Sequence, residues 1–506
     1  MMSPSSILYI WLPCKKIYPV GPTYLANYVH RKRSHIQQHI LDLSVINKGG
    51  RLNAITDMVD KFKPDIIAFS WRDIQIYAPH AGDDSLELAF NFYYSSNIFK
   101  KLQAGIKGLS MVFTYENHLK EKIRLIKKTI KNYPDKTYVI GGGAFSVFHN
   151  EIIKNLPDGV VGVIGEGEDV LVSLIDGTDI EAHRVVYKKA GKVITGKVKQ
   201  PVPIADISMD YPYIETIFPQ VSSYFGETIG IQTKRGCPYN CEFCLYSFIE
   251  GPNVRYRDPE KIIDEIRYLY SRWNVKKIWF ADAQFIPGSQ AVRHCKALLE
   301  GIIKSKLPVE WSGYVRTSLI TPELADLMVL SGVGDLEVSI TSGSQSVLNE
   351  MSMGFRLEHL YEGCRYLKKA GYSGKVILNY SINAPGETEE TLIESINSYK
   401  AIVKIMGREQ VQCVIFFLGV QPHTGLEKRL IESGYLNNSY NPISLSPFSI
   451  KKLLYNPAPL DRVIAQSCLD AWKEGEGSGE KIMHNLEKRL NPGGKSYGFV
   501  IDCKKT

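Results

Sequence analysis

Long apolar runs are missing from this 506-residue chain. A membrane-spanning helix needs about 20 consecutive apolar residues, and the apolar run at residues 7–12 is far shorter. No positively charged segment precedes that run, so we interpret it as a first strand and not as a signal peptide. Internal repeats and low-complexity tracts are also missing. These absences predict a globular protein without a membrane span, and we expect it in the cytoplasm.

Cysteine is scarce and unevenly placed. The nine cysteines are too few for a disulfide scaffold in a chain of this length. Six of them are scattered singly, namely Cys14, Cys295, Cys364, Cys413, Cys468 and Cys503. This distribution favours a reducing compartment. The other three, Cys237, Cys241 and Cys244, form a C-x3-C-x2-C string.

The spacing of these three cysteines indicates a metal centre. Thiolates are soft ligands that suit zinc and iron–sulfur clusters. A structural zinc site normally has four ligands in paired short spacings, and the string offers three. In a cluster of four irons, three cysteines would leave one iron open to a substrate or cofactor. We therefore favour a reactive iron–sulfur site over a zinc site or chance clustering.

The string, with Phe243 directly before its third cysteine, resembles the signature of the radical S-adenosylmethionine (SAM) enzymes. The resemblance implies a 4Fe-4S cluster whose open iron chelates the amino and carboxylate groups of SAM. It also implies one-electron reduction of SAM, which yields methionine and a 5′-deoxyadenosyl radical. An external electron donor of the flavodoxin or ferredoxin type would then be a partner.

The first 175 residues alternate strand-like and helix-like segments, which predicts a parallel sheet flanked by helices. We predict strands at residues 7–12, 39–43, 65–70, 137–140 and 160–164. Ligands of such folds bind beyond the carboxyl ends of the strands. Candidate ligand-binding residues there are Trp71, Arg72, Gly141, Gly142, Gly143, Gly165, Glu166 and Gly167.

These strand ends, together with the Pro-x-Gly-Pro-x-Tyr segment at 19–24, resemble the Rossmann-like cobalamin-binding domain that precedes the barrel in one branch of the radical SAM enzymes. The resemblance implies cobalamin as a cofactor, and a domain that has lost its cofactor is the alternative. No histidine lies in a D-x-H-x-x-G motif, so the lower face of the corrin would have no histidine ligand. Trp71 or Arg72 would cover that face, unless Trp71 is a core aromatic.

Three further segments complete the N-terminal half. Residues 74–118 form an aromatic-rich insertion, which either caps the pocket or packs in the ordinary way. The Lys-rich stretch at 119–131 predicts an amphipathic helix with a solvated face, in preference to a nucleic-acid patch. Residues 176–225 predict a hairpin followed by an extended proline-containing linker at 201–206. We place the domains at 1–175, 226–430 and 431–506, with the hairpin and linker between the first two.

The next 200 residues again alternate strands and helices. We predict strands at residues 229–233, 277–280, 310–315, 335–340, 375–382 and 412–418. Six such units match the partial (β/α)6 barrel of the radical SAM enzymes, in which the chemistry lies at the carboxyl ends of the strands. The tail beyond residue 430 predicts a small, mostly helical region at 431–506, with helices near 460–472 and 480–490.

By the same resemblance, several barrel residues would bind SAM. Asp282 and Gln284 would meet its amino group, and Arg316 its carboxylate. The remaining SAM-binding candidates are Phe243, Ser339, Pro385 and Gly386. The chain departs from the family at Ala283 and Thr341, where acidic residues are common, and the Pro-Gly-Glu-Thr turn is also a helix start.

The resemblance favours methyl transfer to an unactivated carbon of a small molecule, with SAM and cobalamin as cofactors. A rearranging or cyclising enzyme with the same cofactors, such as the anaerobic porphyrin-ester cyclase, is the first alternative. A methylthiotransferase would need a second three-cysteine cluster, and only Cys14 precedes Cys237. An iron–sulfur sensor that does not cleave SAM is the remaining alternative. We expect no nucleic-acid partner, and the substrate is not predicted.

Overall fold

The computed structural model describes residues 4–72, 83–196, 207–226, 228–444, 446–475 and 477–491. Its strands are β1 Ser6–Trp11, β2 Gln37–Asp42, β3 Ile66–Ser70, β4 Thr137–Gly141, β5 Val161–Val163, β6 Val185–Lys189, β7 Lys192–Thr195, β8 Ile229–Ile231, β9 Lys234–Arg235, β10 Arg255–Tyr256, β11 Lys277–Phe280, β12 Glu310–Tyr314, β13 Val333–Thr341, β14 Val376–Tyr380 and β15 Val411–Ile415.

Helices separate most of these strands. They are α1 Val20–Lys32, α2 Arg51–Phe62, α3 Asp84–Tyr94, α4 Ile98–Asn132, α5 Gly143–Val147, α6 His149–Lys154, α7 Glu168–Asp176, α8 Tyr211–Ile217, α9 Tyr246–Ile249, α10 Pro259–Trp273, α11 Ala291–Ser305, α12 Pro322–Leu330, α13 Gln345–Glu350, α14 Leu357–Lys369, α15 Glu389–Met406, α16 Gly425–Glu432, α17 Pro447–Leu453, α18 Asp461–Lys473 and α19 Gly479–Leu490. In the described part of the chain, no helix is both long and apolar enough to cross a bilayer.

The predicted N-terminal sheet is confirmed. Its strand order is β2-β1-β3-β4-β5-β6-β7, and the first five strands are parallel. The parallel order 2-1-3-4-5 is that of the flavodoxin-like version of the doubly wound fold. In this version the order reverses between β1 and β3, so a ligand is expected beyond the ends of those two strands.

The predicted hairpin is present as β6 and β7, and it belongs to the N-terminal sheet. β6 pairs antiparallel with β5, and β7 continues the same sheet edge. From sequence, the hairpin was placed with the linker and outside the N-terminal domain, because a hairpin pattern does not reveal which sheet edge it joins. The linker segment 201–206 lies outside the described residues.

The six predicted barrel strands are also present. They form one parallel sheet in the order β8-β11-β12-β13-β14-β15, which is the order of the sequence. Local signals agree with this topology. For example, α10 begins at the predicted cap, where the Asp258 side chain accepts a hydrogen bond of 3.0 Å from the Glu260 N–H and Pro259 follows.

The C-terminal helices are predicted within a few residues, as α18 and α19. They pack on the insertion as well as on the barrel, because α3 contacts α18. Phe90 of α3 is buried, and its ring lies 5.1 Å from Phe417 and 5.9 Å from Trp472, between ring centroids. The part of the aromatic insertion that forms α3 therefore packs against the barrel and the C-terminal helices.

Candidate active site

The three cysteines lie on a loop that many backbone contacts hold in place. The loop begins after β9, which pairs with β10 in a short antiparallel ladder. Gly236 has φ +95°, and a Cβ there would lie 2.2 Å from the Asn253 carbonyl oxygen. The Cys237 N–H donates to the Gly251 carbonyl at 3.1 Å, and the Cys244 N–H to the Cys241 carbonyl at 3.0 Å. The thiols therefore project from a fixed backbone.

Ion pairs join this loop to the N-terminal sheet. Arg235, two residues before the first cysteine, pairs with Glu168 at 2.6 Å and with Glu166 at 3.4 Å. Arg255, on the partner strand β10, makes a close ion pair with Glu166. Glu166 is one of the predicted cobalamin-binding residues, and it lines the cavity. Its carboxylate also binds two arginines that flank the cysteine loop, so the Gly-Glu-Gly-Glu segment joins the two halves of the chain.

One large cavity lies between the two halves. Its volume is about 1720 Å³, whereas pockets for drug-sized ligands have roughly 300–1,000 Å³. All three cysteines line it, as do Arg72 and the glycine-rich ends of β4 and β5. It extends into the barrel as far as Glu480 at the start of α19. A cavity of this size and shape has room for more than one ligand.

Five of the predicted SAM-binding residues line the cavity that also contains the cysteines: Phe243, Asp282, Gln284, Arg316 and Ser339. The Gln284 Oε1 atom is buried and has no hydrogen-bond partner among the described residues, which is costly unless a ligand supplies a donor. The Arg316 guanidinium lies 3.6 Å from the centroid of the Tyr239 ring and donates to the Met353 carbonyl at 2.6 Å. These positions suit polar groups of a ligand bound beside the thiols.

Asp282 does not suit the predicted role. Its Oδ1 accepts from the Thr233 and Lys234 N–H groups at 2.7 and 3.1 Å. Its Oδ2 accepts from the Thr233 hydroxyl at 2.5 Å and the Lys234 ammonium at 2.7 Å. Because both oxygens of this buried carboxylate are occupied, Asp282 positions the strand that leads into the cysteine loop. Asp282 lines the cavity, but these hydrogen bonds give no support to its predicted contact with the SAM amino group.

Pro385 and Gly386 also lie elsewhere. Neither residue lines the cavity, and a Cβ on Gly386 (φ +85°) would lie 2.1 Å from the Glu350 carboxylate. Thr388 caps α15, where a reciprocal pair of hydrogen bonds joins it to Thr391. The turn therefore acts as a helix start, which was its alternative interpretation. Thr341, at the family's glutamate position, is fully buried and is likewise outside the cavity wall.

The predicted cobalamin-binding glycines divide into two groups. At Gly142 and Gly165 the protein's own backbone leaves no room for a side chain. A Cβ on Gly142 (φ +99°) would lie 2.4 Å from the Trp71 carbonyl oxygen, and one on Gly165 (φ +83°) would lie 2.7 Å from the Ile249 carbonyl oxygen. All five glycines line the cavity, and Gly141, Gly143 and Gly167 form the second group. A Cβ on Gly141 would be in ordinary contact with Val163, at 3.8 Å. These three glycines therefore keep a strand-end surface open to a ligand.

Trp71 and Arg72 point to different places. Trp71 is buried in the apolar core on one face of the N-terminal sheet, with the Lys122 ammonium 5.2 Å from its ring centroid, and it does not line the cavity. Arg72 is exposed and lines the cavity. Of the two interpretations of Trp71, the geometry supports the core aromatic and not the cover of a corrin face.

Burial dominates the electrostatics of the thiols. It raises the pKa of Cys237 and Cys241, and the neighbouring Arg316 guanidinium partly opposes it in both. Burial also raises the pKa of Cys244 to about 12. Metal binding would have to displace these protons, since thiolates are the metal ligands. A structural zinc site normally takes four ligands, and the cavity wall presents three thiols.

Two carboxylates in the cavity wall, those of Glu250 and Glu337, were not predicted from the sequence. Glu250 accepts from the Gly236 N–H at 2.9 Å, and burial raises its pKa to about 7. Glu337 accepts from the Asn379 amide at 2.6 Å. Glu337 precedes Ser339 by two residues on one strand, so the period-two alternation of side chains could have identified it. Glu250 has no comparable signal in the sequence.

A stack of three aromatic rings closes one side of the cysteine loop. Phe248 of α9 lies against His423 with 4.2 Å between ring centroids, and His149 of α6 lies 5.1 Å beyond it. His149 Nδ1 and His423 Nε2 donate to backbone carbonyls of α5, at 2.8 and 3.1 Å. Burial lowers the pKa of His149 to about 4 and also lowers the pKa of His423. Both rings are therefore neutral at pH 7.

This stack predicts a loss of stability in mild acid. A histidine whose pKa is lowered on folding stabilises the fold above its unfolded pKa of about 6.5, and this contribution is lost as pH falls towards the folded value. We expect the unfolding temperature to fall between about pH 6.5 and 4, and to fall less steeply in His149→Phe, which keeps an aromatic ring. The control is His118→Gln, at an exposed position on α4. Equal slopes in all three proteins would contradict the prediction.

Comparison with known proteins agrees with this geometry. Residues 231–398 match the family model of the Radical SAM superfamily. The chain contains a radical SAM domain. The matched residues comprise the cysteine loop and the barrel strands from the end of β8 to β14.

Relatives extend the similarity beyond the radical SAM domain. A Methanocaldococcus jannaschii protein named as a methylthiotransferase is 27% identical over 55% of this chain and 60% of its own length. The anaerobic magnesium-protoporphyrin IX monomethyl ester cyclase of Rubrivivax gelatinosus is 26% identical over 52% of this chain and 48% of its own. The chain thus matches about half of these relatives' lengths.

A solved structure shares most of the fold. It is the radical SAM methyltransferase TsrM of Kitasatospora setae, with cobalamin and a [4Fe-4S] cluster bound. It superposes with a TM-score of 0.63 at 17% identity, over 85% of this chain and 75% of the other. The similarity covers both halves of the chain, so the predicted fold class, a doubly wound domain followed by a partial barrel, is confirmed.

Proposed function

We propose that this protein is a cobalamin-dependent radical SAM enzyme that transfers a methyl group to an unactivated carbon of a small molecule. The observation that carries the proposal is the single cavity of about 1720 Å³, which has the three thiols on one wall and the open glycines of β4 and β5 on another. A cluster, SAM and a corrinoid would have to meet in such a space. The similarity to a cobalamin-bound methyltransferase structure supports this choice.

Several residues that line the cavity would each have a separate role in this reaction. Cys237, Cys241 and Cys244 would hold a 4Fe-4S cluster, which would supply the electron that cleaves SAM. The buried Gln284 Oε1 would accept a hydrogen bond from a polar group of SAM, and Arg316, which lies against the Tyr239 ring, would pair with its carboxylate. Phe243 and the apolar strand ends exclude water, which protects a carbon radical. An external flavodoxin or ferredoxin supplies electrons.

Cyclisation or rearrangement is the second candidate, because a porphyrin-ester cyclase is among the relatives. Incubation of the reconstituted protein without oxygen, with SAM, methylcobalamin and a reductant, separates the candidates. Methyl transfer predicts 5′-deoxyadenosine together with loss of the cobalamin methyl group in the presence of substrate. 5′-Deoxyadenosine with an intact methylcobalamin favours the cyclase, and no 5′-deoxyadenosine under any reductant favours a sensor.

The corrinoid part of the proposal predicts an effect at Gly141. Gly141→Leu adds a side chain to the cavity wall at a position where a Cβ would make only ordinary contacts. We therefore expect the fold to persist. Hydroxocobalamin uptake should fall at least about tenfold, because the apolar side chain displaces the ligand. Absorption spectra after gel filtration measure uptake. The control is Gly49→Leu, which meets no atom within 4 Å of its Cβ and lies outside the cavity. Equal hydroxocobalamin uptake by both variants would contradict the proposal that cobalamin binds at this site.

A further inference from the structure

The long helix α4 exposes an unusual number of large apolar side chains. Six residues in its first half are between 58% and 79% exposed, namely Ile98, Phe99, Leu102, Ile106, Leu109 and Phe113. We call these six residues the apolar stripe. Soluble proteins rarely expose contiguous apolar patches unless the patch binds something.

The apolar stripe occupies one side of the helix. At about 100° per residue, the six residues fall within an arc of about 100°. The buried residues of the same helix, including Ala104, Leu125, Ile126 and Thr129, lie on the opposite side. The stripe therefore faces away from the neighbouring elements along its whole length, and packing among the described residues does not account for it.

A basic stripe continues the apolar stripe along the same side. Lys120, Arg124, Lys127 and Lys131 fall within the same arc further along the helix, and all four are exposed. The helix as a whole has nine Lys and Arg residues against two Glu. Its net charge of +7 thus accounts for nearly all of the +8 of the complete chain. Charge and exposed apolar surface are concentrated on one element.

We propose that this side of α4 binds the surface of a membrane that contains anionic lipids. A helix with an apolar side lies in the interface of a bilayer, with its apolar residues among the acyl chains and its cationic residues at the head groups. Lysine and arginine close to an anionic leaflet each add to the attraction. The apolar stripe enters the bilayer, and the basic stripe binds phosphate groups beside it.

A second copy of the chain is a poorer occupant of this surface. Pairing two α4 helices would bring two elements of charge +7 together, and like charges repel. An anionic bilayer offers the opposite charge and an apolar interior at once. Attachment would be peripheral, since no described helix is able to span a bilayer. This inference does not depend on the proposed function.

Flotation with lipid vesicles tests the proposal. The full-length protein, with its cluster reconstituted without oxygen, is mixed with vesicles of phosphatidylcholine alone or with about one third phosphatidylglycerol. We expect at least about tenfold more bound protein with the anionic vesicles, and a decrease as salt is raised, because salt screens the attraction. Equal binding to both vesicle types, or to neither, would overturn the proposal.

Matched variants assign the binding to α4. Leu102→Asp combined with Leu109→Asp is expected to reduce vesicle binding at least about tenfold. Leu330→Asp, at a position on α12 that is 69% exposed, is expected to leave binding unchanged. Arg124→Gln and Lys127→Gln should each weaken binding about fivefold, at about 1 kcal/mol per charge. If the combined Leu102→Asp, Leu109→Asp variant and Leu330→Asp changed vesicle binding equally, the assignment to α4 would be wrong.

Sedimentation of the same proteins tests the alternative occupant. We expect wild-type protein and the Leu102→Asp, Leu109→Asp variant to have the same oligomeric state without lipid. If the wild type were a dimer that these substitutions dissociate, and if it ignored anionic vesicles, a second copy would cover the stripe and the proposal would be wrong. All substituted side chains are exposed, so thermal unfolding should be unchanged.

Discussion

Cys241→Ala is expected to abolish both cluster assembly and the cleavage of SAM. The thiol lies on the cavity wall beside Arg316, between the other two cysteines of the loop. The variant keeps two of the three thiols of the loop, so the cluster would lose one of its protein ligands. We expect iron content close to zero after reconstitution, and 5′-deoxyadenosine at the level of a protein-free control.

Cys364→Ala provides the matched control for this experiment. Cys364 is a fully buried free thiol on α14, and it does not line the cavity. Loss of its sulfur removes a similar volume from the core, with an effect on stability but not on the cluster. If Cys364→Ala lost iron as completely as Cys241→Ala, the loss would report general misfolding and not ligation. Full iron in Cys241→Ala would contradict the assignment of the loop.

Lys234→Met is expected to destabilise the barrel by about 3–5 kcal/mol, the usual result of leaving one partner of a buried ion pair uncompensated. The Lys234 ammonium lies 2.7 Å from Asp282, and the two side chains are 1% and 0% exposed. Methionine fills a similar volume but leaves the carboxylate without its cation. The midpoint of urea unfolding, measured without oxygen on the reconstituted protein, reports the change.

Two further variants separate the ion pair from the loss of lysine itself. Lys234→Met with Asp282→Asn removes both charges but keeps an oxygen that accepts from the Thr233 and Lys234 N–H groups, so we expect it to recover part of the stability. Lys277→Met removes the cation of an exposed pair 3.9 Å apart, and it should change stability by less than about 1 kcal/mol. A double variant less stable than the single one would show that the carboxylate has other essential partners.

The architecture could be predicted because strand and helix patterns are local. All eleven parallel strands and the cap of α10 follow from short runs of sequence. Sheet membership is not local, and the hairpin β6–β7 was therefore set apart from the sheet to which it pairs. The length of α4 was also missed, because its exposed apolar side does not match the pattern of a helix packed in a core.

The candidate site was predictable where one residue type has one main use. Three closely spaced cysteines are such a case, and they line the cavity as expected. The hydrogen-bond partners of Asp282 were not predictable, because Thr233 and Lys234 lie almost fifty residues away in the sequence. Gly142 and Gly165 line the cavity as predicted, but sequence does not reveal that a neighbouring backbone also approaches each of them.

The central claim is that three thiols hold a cluster with one iron open to SAM. Electron paramagnetic resonance of the reduced, anaerobically reconstituted protein tests it directly, alongside metal analysis. We expect about four irons per chain and a signal of the reduced cluster that shifts when SAM is added. Zinc as the only bound metal, or a cluster signal that SAM leaves unchanged, would contradict it.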